Sequence, residues 1–285
     1  MNKSRRSSGK KSSRNPGKAP ASRALTGVRL TDALVAGWRP LQRFEVAGFA
    51  LFRSHGVTKR ANSAVALDAP EDDEALLEAI GRVEQLCAMA GDKACFRVMG
   101  AHGPAQLDAL LAERGYTVAG ESTILSLALP AAREFVPHTS AEIRAGELDD
   151  DWFDAAWQLA PREGEGAKEA TRSIMAATPA VQVMLRPGAD AAEPLEMLAV
   201  GRAALVEAGK QSVAVLNVIT VAPEQRRQGL GRAVSETLLA VAAAHGVERA
   251  LLEVERDNTA AIALYRGLGF EPLGEYHYRV APGGN

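Results

Sequence analysis

Residues 216–232 read LNVITVAPEQRRQGLGR. Leu216 to Val221 is almost wholly apolar and β-branched, which predicts a buried strand. A turn containing Pro223 and two glycines follows. From Leu230 onward, apolar residues recur at Val234, Leu238, Val241 and Ala242, the spacing of one helix face. A strand, a glycine-bearing turn and a helix start bring free backbone N–H groups and the positive end of a helix dipole to one point. Glycines at Gly229 and Gly231 leave room there that any side chain would fill. Arg226, Arg227 and Arg232 add positive charge, so the loop suits a diphosphate. It is not a Walker loop, since no Gly-Lys-Ser/Thr follows, and it lacks the three-glycine dinucleotide fingerprint. The same short pattern at Arg14–Ala19 has neither a strand before it nor a helix after it. Context therefore carries the reading.

Around this loop, strand-like and helix-like stretches alternate, as in an α/β or α+β chain. Leu198 to Glu207 and Ser212 to Val221 form an expected hairpin. A helix over about Gly229–His245, a strand Ala250–Glu255, a helix Thr259–Leu268 and a strand Glu275–Val280 follow. The first half has the same order: strands Phe49–Arg53 and Ser63–Leu67, a helix Glu74–Met89, a strand Ala94–Met99, a helix Gln106–Arg114 and a strand Thr123–Leu129. Individual residues recur too. Ala69-Pro70-Glu71 returns as Ala222-Pro223-Glu224, and Gly115-Tyr116 with Gly120-Glu121 returns as Gly269-Phe270 with Gly274-Glu275. An internal duplication is the simplest account. It divides the chain into a tail 1–23, a first domain 24–132 and a second 139–285, with a linker near Pro130–Ser140 and a flexible loop at Arg186–Pro194.

The first half lacks the loop. Asp72-Asp73-Glu74-Ala75-Leu76 stands at the equivalent position, where three carboxylates would oppose an anion, so no nucleotide is expected there. Trp38, Phe44, Phe49 and Phe52 are expected in the first core, and Trp152, Phe153 and Trp157 fall at helical spacing in the second half.

Composition bounds the function. The 285 residues are 47% hydrophobic, enough for a core, and no apolar run approaches the roughly 18 residues of a membrane span. No membrane partner is expected, and the localisation read from this is cytoplasmic. The two cysteines, Cys87 and Cys95, support neither a disulfide framework nor a thiolate metal site and are expected to be buried thiols; no metal is expected. Eight of the 33 basic residues lie in the tail, which holds no acidic residue, leaving 25 basic against 35 acidic side chains in the body. The tail has no aromatic residues for base stacking, so nucleic acid is not an expected partner beyond weak contact by the tail.

The second half resembles the GCN5-related N-acetyltransferase (GNAT) superfamily, in the loop Arg226-Arg227-Gln228-Gly229-Leu230-Gly231 and downstream in Asn258 to Tyr265 with Leu268-Gly269-Phe270. Leu252 to Phe270 is similar to the ribosomal-protein alanine N-acetyltransferases. The plan of a degenerate copy before an active one is similar to tandem members of the superfamily. The resemblance implies two GNAT-like domains, each a mixed, mostly antiparallel twisted sheet flanked by helices, with acetyl-CoA as co-substrate and no metal. It implies a pyrophosphate held on Arg226, Arg227, Gln228, Gly229, Leu230, Gly231 and Arg232. The backbone of Ile219, Thr220 and Val221 would hold pantetheine and the thioester oxygen. It also implies that Glu253 is the general base, Asn258 a CoA ligand and Tyr265 the proton donor. On pattern alone Glu253 and Glu255 share a strand face and are interchangeable. Asn258 serves equally as a helix N-cap. Tyr265 follows Asn258 by about two helical turns, on the same face, and His277 on the last strand is a further candidate at the amine. In the first half Leu111 and Pro104 fall at the positions of Tyr265 and Asn258, so that copy is expected to complete the substrate groove or the packing. The implied reaction acetylates a primary amine of a protein N-terminus, a lysine or a small molecule, in a monomer or homodimer. A non-catalytic CoA-binding regulatory module and an acyltransferase using another acyl-CoA stay open.

Overall fold

The computed structural model describes residues 25–100, 102–129, 135–186 and 197–283. The basic tail, the expected loop beyond Arg186 and residues 130–134 of the expected linker lie outside the described residues.

The first half runs α1 (Gly27–Gly37), β1 (Gln42–Val46), β2 (Phe49–Arg53), β3 (Ala64–Ala66), α2 (Asp73–Met89), β4 (Cys95–Met99), α3 (Leu107–Glu113) and β5 (Thr117–Ala128). The second runs β6 (Ala141–Gly146), α4 (Asp150–Leu159), α5 (Ala167–Ala176), β7 (Ala180–Leu185), β8 (Ala199–Ala208), β9 (Gln211–Val221), α6 (Leu230–Ala244), β10 (Arg249–Glu255), α7 (Thr259–Gly267) and β11 (Glu271–Val280). All eleven strands form one sheet in the order β1-β2-β3-β4-β11-β5-β10-β9-β8-β7-β6. Neighbours are antiparallel except β3–β4 and β9–β10, the two pairs joined by crossover helices α2 and α6.

The halves exchange strands at the centre. β11, the last strand of the second half, pairs with β4 of the first, and β5, the last of the first half, pairs with β10 of the second. β5 and β11 then pair with each other. One face of the sheet packs on α6 and α7 through Leu125, Leu127, Leu216 and Leu252, and on α2 and α3 through Phe49, Leu51 and Phe96. The opposite face carries α1 against Val213, Val215 and Leu251, and α4 and α5 against Met184 and Val200.

The sequence repeat has a geometric counterpart. α3 and α7 both end in a glycine with positive φ, Gly115 at +81° and Gly269 at +91°. Behind each, the next amide returns to the helix: Tyr116 N–H donates to the Leu111 carbonyl and Phe270 N–H to that of Tyr265, both at 3.0 Å. This is the two-bond helix stop that glycine permits, and it shows that Leu111 and Tyr265 are structurally equivalent.

One expectation is corrected. Phe44 is not a core residue but is 42% exposed, because β1 is an edge strand buried only at Val46. Trp38, Phe49, Phe52, Trp152 and Phe153 are buried, as are both cysteines, which are free thiols.

Candidate functional site

The β9–β10 ladder starts at Val213↔Arg249 and stops at Leu216↔Leu252. Beyond it β9 continues to Val221 and β10 to Glu255, so the two strands part, and Asn217–Val221 loses a strand partner on its β10 side. The cause is local: Val218 has φ +54°, and the β8–β9 register slips between Val200 and Arg202. A β-branched residue in that conformation is strained, a condition that persists where the surroundings impose it, commonly at functional sites. Asn217 is pinned at the fork, its amide donating to the Gly37 carbonyl at 3.2 Å. Beside it the wholly buried Arg202 donates to the carbonyls of Gly37, Met175 and Thr178. Burial lowers its pKa to about 10, with no carboxylate paired to it among the described residues.

After Val221, Pro223–Gln225 makes one helical turn and the chain enters α6. Arg227 has φ +66°, and Gly229, the N-cap, has φ +83°. No side chain caps α6, so its first amides are left for another acceptor. A Cβ at Gly229 would meet nothing within 4 Å, so the protein leaves the space beside these amides open. Arg226 leans back to the Val221 carbonyl at 3.4 Å, Gln228 bonds Gln225 at 3.2 Å and Arg232 pairs with Glu236 at 2.9 Å. Arg227 is exposed. Leu230 anchors the loop in the core, and Gly231 lies against Leu264 of α7, where a Cβ would stand 3.4 Å from the leucine. Ile219, Thr220 and Val221 are half-buried along the parted edge.

Asn258 is the N-cap of α7, accepting from the Ala261 N–H at 3.1 Å. Tyr265 is 8% exposed, edge-on to Phe270 at 5.7 Å. Burial pushes its phenol up to about 12, so it is protonated at neutral pH. Among the described residues no group hydrogen-bonds its hydroxyl.

The chain is similar in sequence and fold to known proteins. Residues 28–280 match the family described as "Probable histone acetyltransferase Rv0428c C-terminal". The chain belongs to this family. Its GNAT character is shared by its relatives. It is 28% identical over 266 residues to the uncharacterized N-acetyltransferase YobR of Bacillus subtilis, covering 90% of this chain and 99% of that one. A shorter stretch of 57 residues is 51% identical to the ribosomal protein bS18 alanine N-acetyltransferase of Escherichia coli, covering 20% of this chain and 38% of that one. Among solved structures, a GCN5-related N-acetyltransferase from Kribbella flavida superposes with TM-score 0.61 at 18% identity, over 90% of this chain and 96% of that one. A tandem GNAT protein from the clavulanic acid biosynthesis pathway superposes with TM-score 0.58 at 16% identity, over 78% and 76%.

On the opposite face of this GNAT sheet, the parted end of β10 meets the first half. The Glu253 side chain is only 3% exposed, although the residue as a whole is half-buried; its accessible part is main chain. Arg97 of β4 and Arg60 from the β2–β3 connection pair with its two oxygens, Arg60 at 2.9 Å. Burial alone would raise its pKa, but the two guanidinium groups outweigh burial and hold it low. Glu255, two residues on, is exposed and forms no ion pair among the described residues. Both border a cavity of about 280 Å³ whose wall also includes Arg162, Ser122, Tyr276 and Tyr278. Sequence reasoning found the two glutamates but not the arginines, which lie 156 and 193 residues away from Glu253. His277 points elsewhere: its Nε2 lies 2.6 Å from Asp108 of α3, which also binds Arg279 and is held at about 2 chiefly by that arginine. No helix is long and apolar enough to cross a membrane, and no cluster of three metal-ligating side chains occurs, among the described residues.

Proposed function

We propose that this GNAT protein transfers acetyl from acetyl-CoA to a primary amine, with the co-substrate held by its second half alone. The observation that carries the reading is the uncapped start of α6, placed directly after a strand that parts from its neighbour. The residues fit the ligand. Amides from Arg227 to Arg232 and the helix dipole face an open space of the right sign for a pyrophosphate. The unpartnered edge at Ile219–Val221 offers backbone groups to the pantetheine and to the thioester oxygen, where donors stabilise charge that develops as the carbonyl is attacked.

The amine nitrogen attacks the thioester carbonyl, a C–N bond forms and the C–S bond breaks. Tyr265 supplies the proton that the departing thiolate takes up. The amine's own proton leaves towards Glu255, directly or through water. Glu253 has both oxygens on guanidinium groups and is held low, so its part is to fix Arg60 and Arg97 beside the acceptor. Asn258 positions α7 by capping it and is available to the CoA chain.

Calorimetry with acetyl-CoA on the full chain and on Gly229→Glu tests this. One site per chain in the parent, weakened at least 50-fold in the variant, supports the assignment. Two sites, or one that survives the substitution, sinks it.

A further inference from the structure

The cavity beside Glu253 and Glu255 bears on the acceptor. Trp38, at the end of α1, is held by its indole N–H donating to Thr58 Oγ1 at 3.0 Å. The guanidinium groups of Arg60 and Arg162 both lie over its ring, each 5.3 Å from the centroid. Arg60 is partnered by Glu253; Arg162, from the α4–α5 connection, has no carboxylate among the described residues. Two like charges share one indole, and burial together with Arg60 lowers the pKa of Arg162, both of which a bound anion would offset. Among the described residues, the hydroxyl of Tyr278, a residue of the cavity wall, is buried with no hydrogen-bond partner; Tyr278 is 4% exposed. A buried polar atom left unpaired at a cavity wall is costly unless something completes it. Glu255, at the mouth, supplies the opposite charge.

Resting on the acetyltransferase reading, we propose that the acceptor is a small amine carrying its own carboxylate, an amino-acid-like zwitterion, whose carboxylate is bound by Arg162 and the Tyr278 hydroxyl while its amine faces Glu255. Charge is matched at both ends. An Arg–carboxylate pair takes two parallel hydrogen bonds and so fixes orientation as well as charge. At about 280 Å³ the cavity lies just below the small-ligand range of roughly 300–1,000 Å³, a scale that suits a single amino acid rather than a folded partner. Cofactor and acceptor then reach the parted strands from opposite faces of the sheet.

The test is release of free CoA from acetyl-CoA by the full chain, with the twenty common amino acids and their carboxamides as paired acceptors. At least one acid is expected to exceed its amide tenfold or more in kcat/KM, mostly through KM. Arg162→Gln should bring that ratio towards one, and Arg162→Lys should restore part of it. The inference is overturned if no acid outruns its amide, or if Arg162→Gln leaves the ratio unchanged. Calorimetry with acetyl-CoA on the same samples separates the two readings: intact one-to-one binding in those cases confines the failure to the acceptor, whereas lost cofactor binding removes the acetyltransferase assignment itself.

Discussion

The two halves have the same crossover, a strand, a turn and a helix leading to a parallel neighbour, yet the helix starts are finished in opposite ways. At α2 the Asp72 side chain accepts from the Ala75 N–H at 3.0 Å, and Asp73 and Glu74 fill the first turn. At α6 the corresponding place is Gly229, with no cap and no acidic residue in the first turn. A helix start that satisfies its own amides is stable and closed to anions; one that does not is less stable alone and open to them. The helix after each crossover, α3 or α7, differs in the same way, with Leu111 where the other half has Tyr265. On the proposed reading, the repeated geometry carries packing in one half and the groups for chemistry in the other.

The sharpest way to break this comparison is at the equivalent pair. Tyr265→Phe is expected to lower kcat by about 10²- to 10⁴-fold with acetyl-CoA affinity within twofold, while Leu111→Tyr gains no activity; steady-state kinetics with calorimetry reads both. A Tyr265→Phe enzyme at parental rate would remove the proton-donor role. Glu253 probes the dependence of one half on the other. Glu253→Gln leaves Arg97 buried without its counter-charge, which costs roughly 3–5 kcal/mol. Urea unfolding should show that loss, and the joint Glu253→Met, Arg97→Met variant should recover much of it; a neutral single variant would mean the pair does not join the halves. The smallest effect is at the capped helix. Asp72→Ala should cost about 1 kcal/mol in the same assay without creating a second acetyl-CoA site, and a second site would show that the carboxylates alone silence the first half.

Much of this was legible in the sequence because it is local. The loop at 226–231, the helices Asp73–Met89 and Leu230–Ala244 and the closing pair Gly269-Phe270 are set by residues within a turn or two of one another. What was not legible depends on distant partners. β1 is a five-residue edge strand whose alternation, Arg43-Phe44-Glu45-Val46, is too short to stand out and does not mark burial, since only Val46 is buried, and α1 and α5 are short helices that take their stability from the sheet beneath them. No periodicity marks where a strand parts from its neighbour; the bend at Val218 is held by Asn217, Arg202 and the end of α1. Pattern treated Glu253 and Glu255 alike, and only Arg60 and Arg97 from the first half distinguish them.

The exchange of β5 and β11 also has a consequence in time. Strand β4 has β3 on one side and residues 276–280 on the other. In the finished sheet, that edge of the first half is closed by a strand from the second half rather than by one of its own. The sheet is complete only once residues 271–280 have been made, so the two halves are expected to reach their final form together.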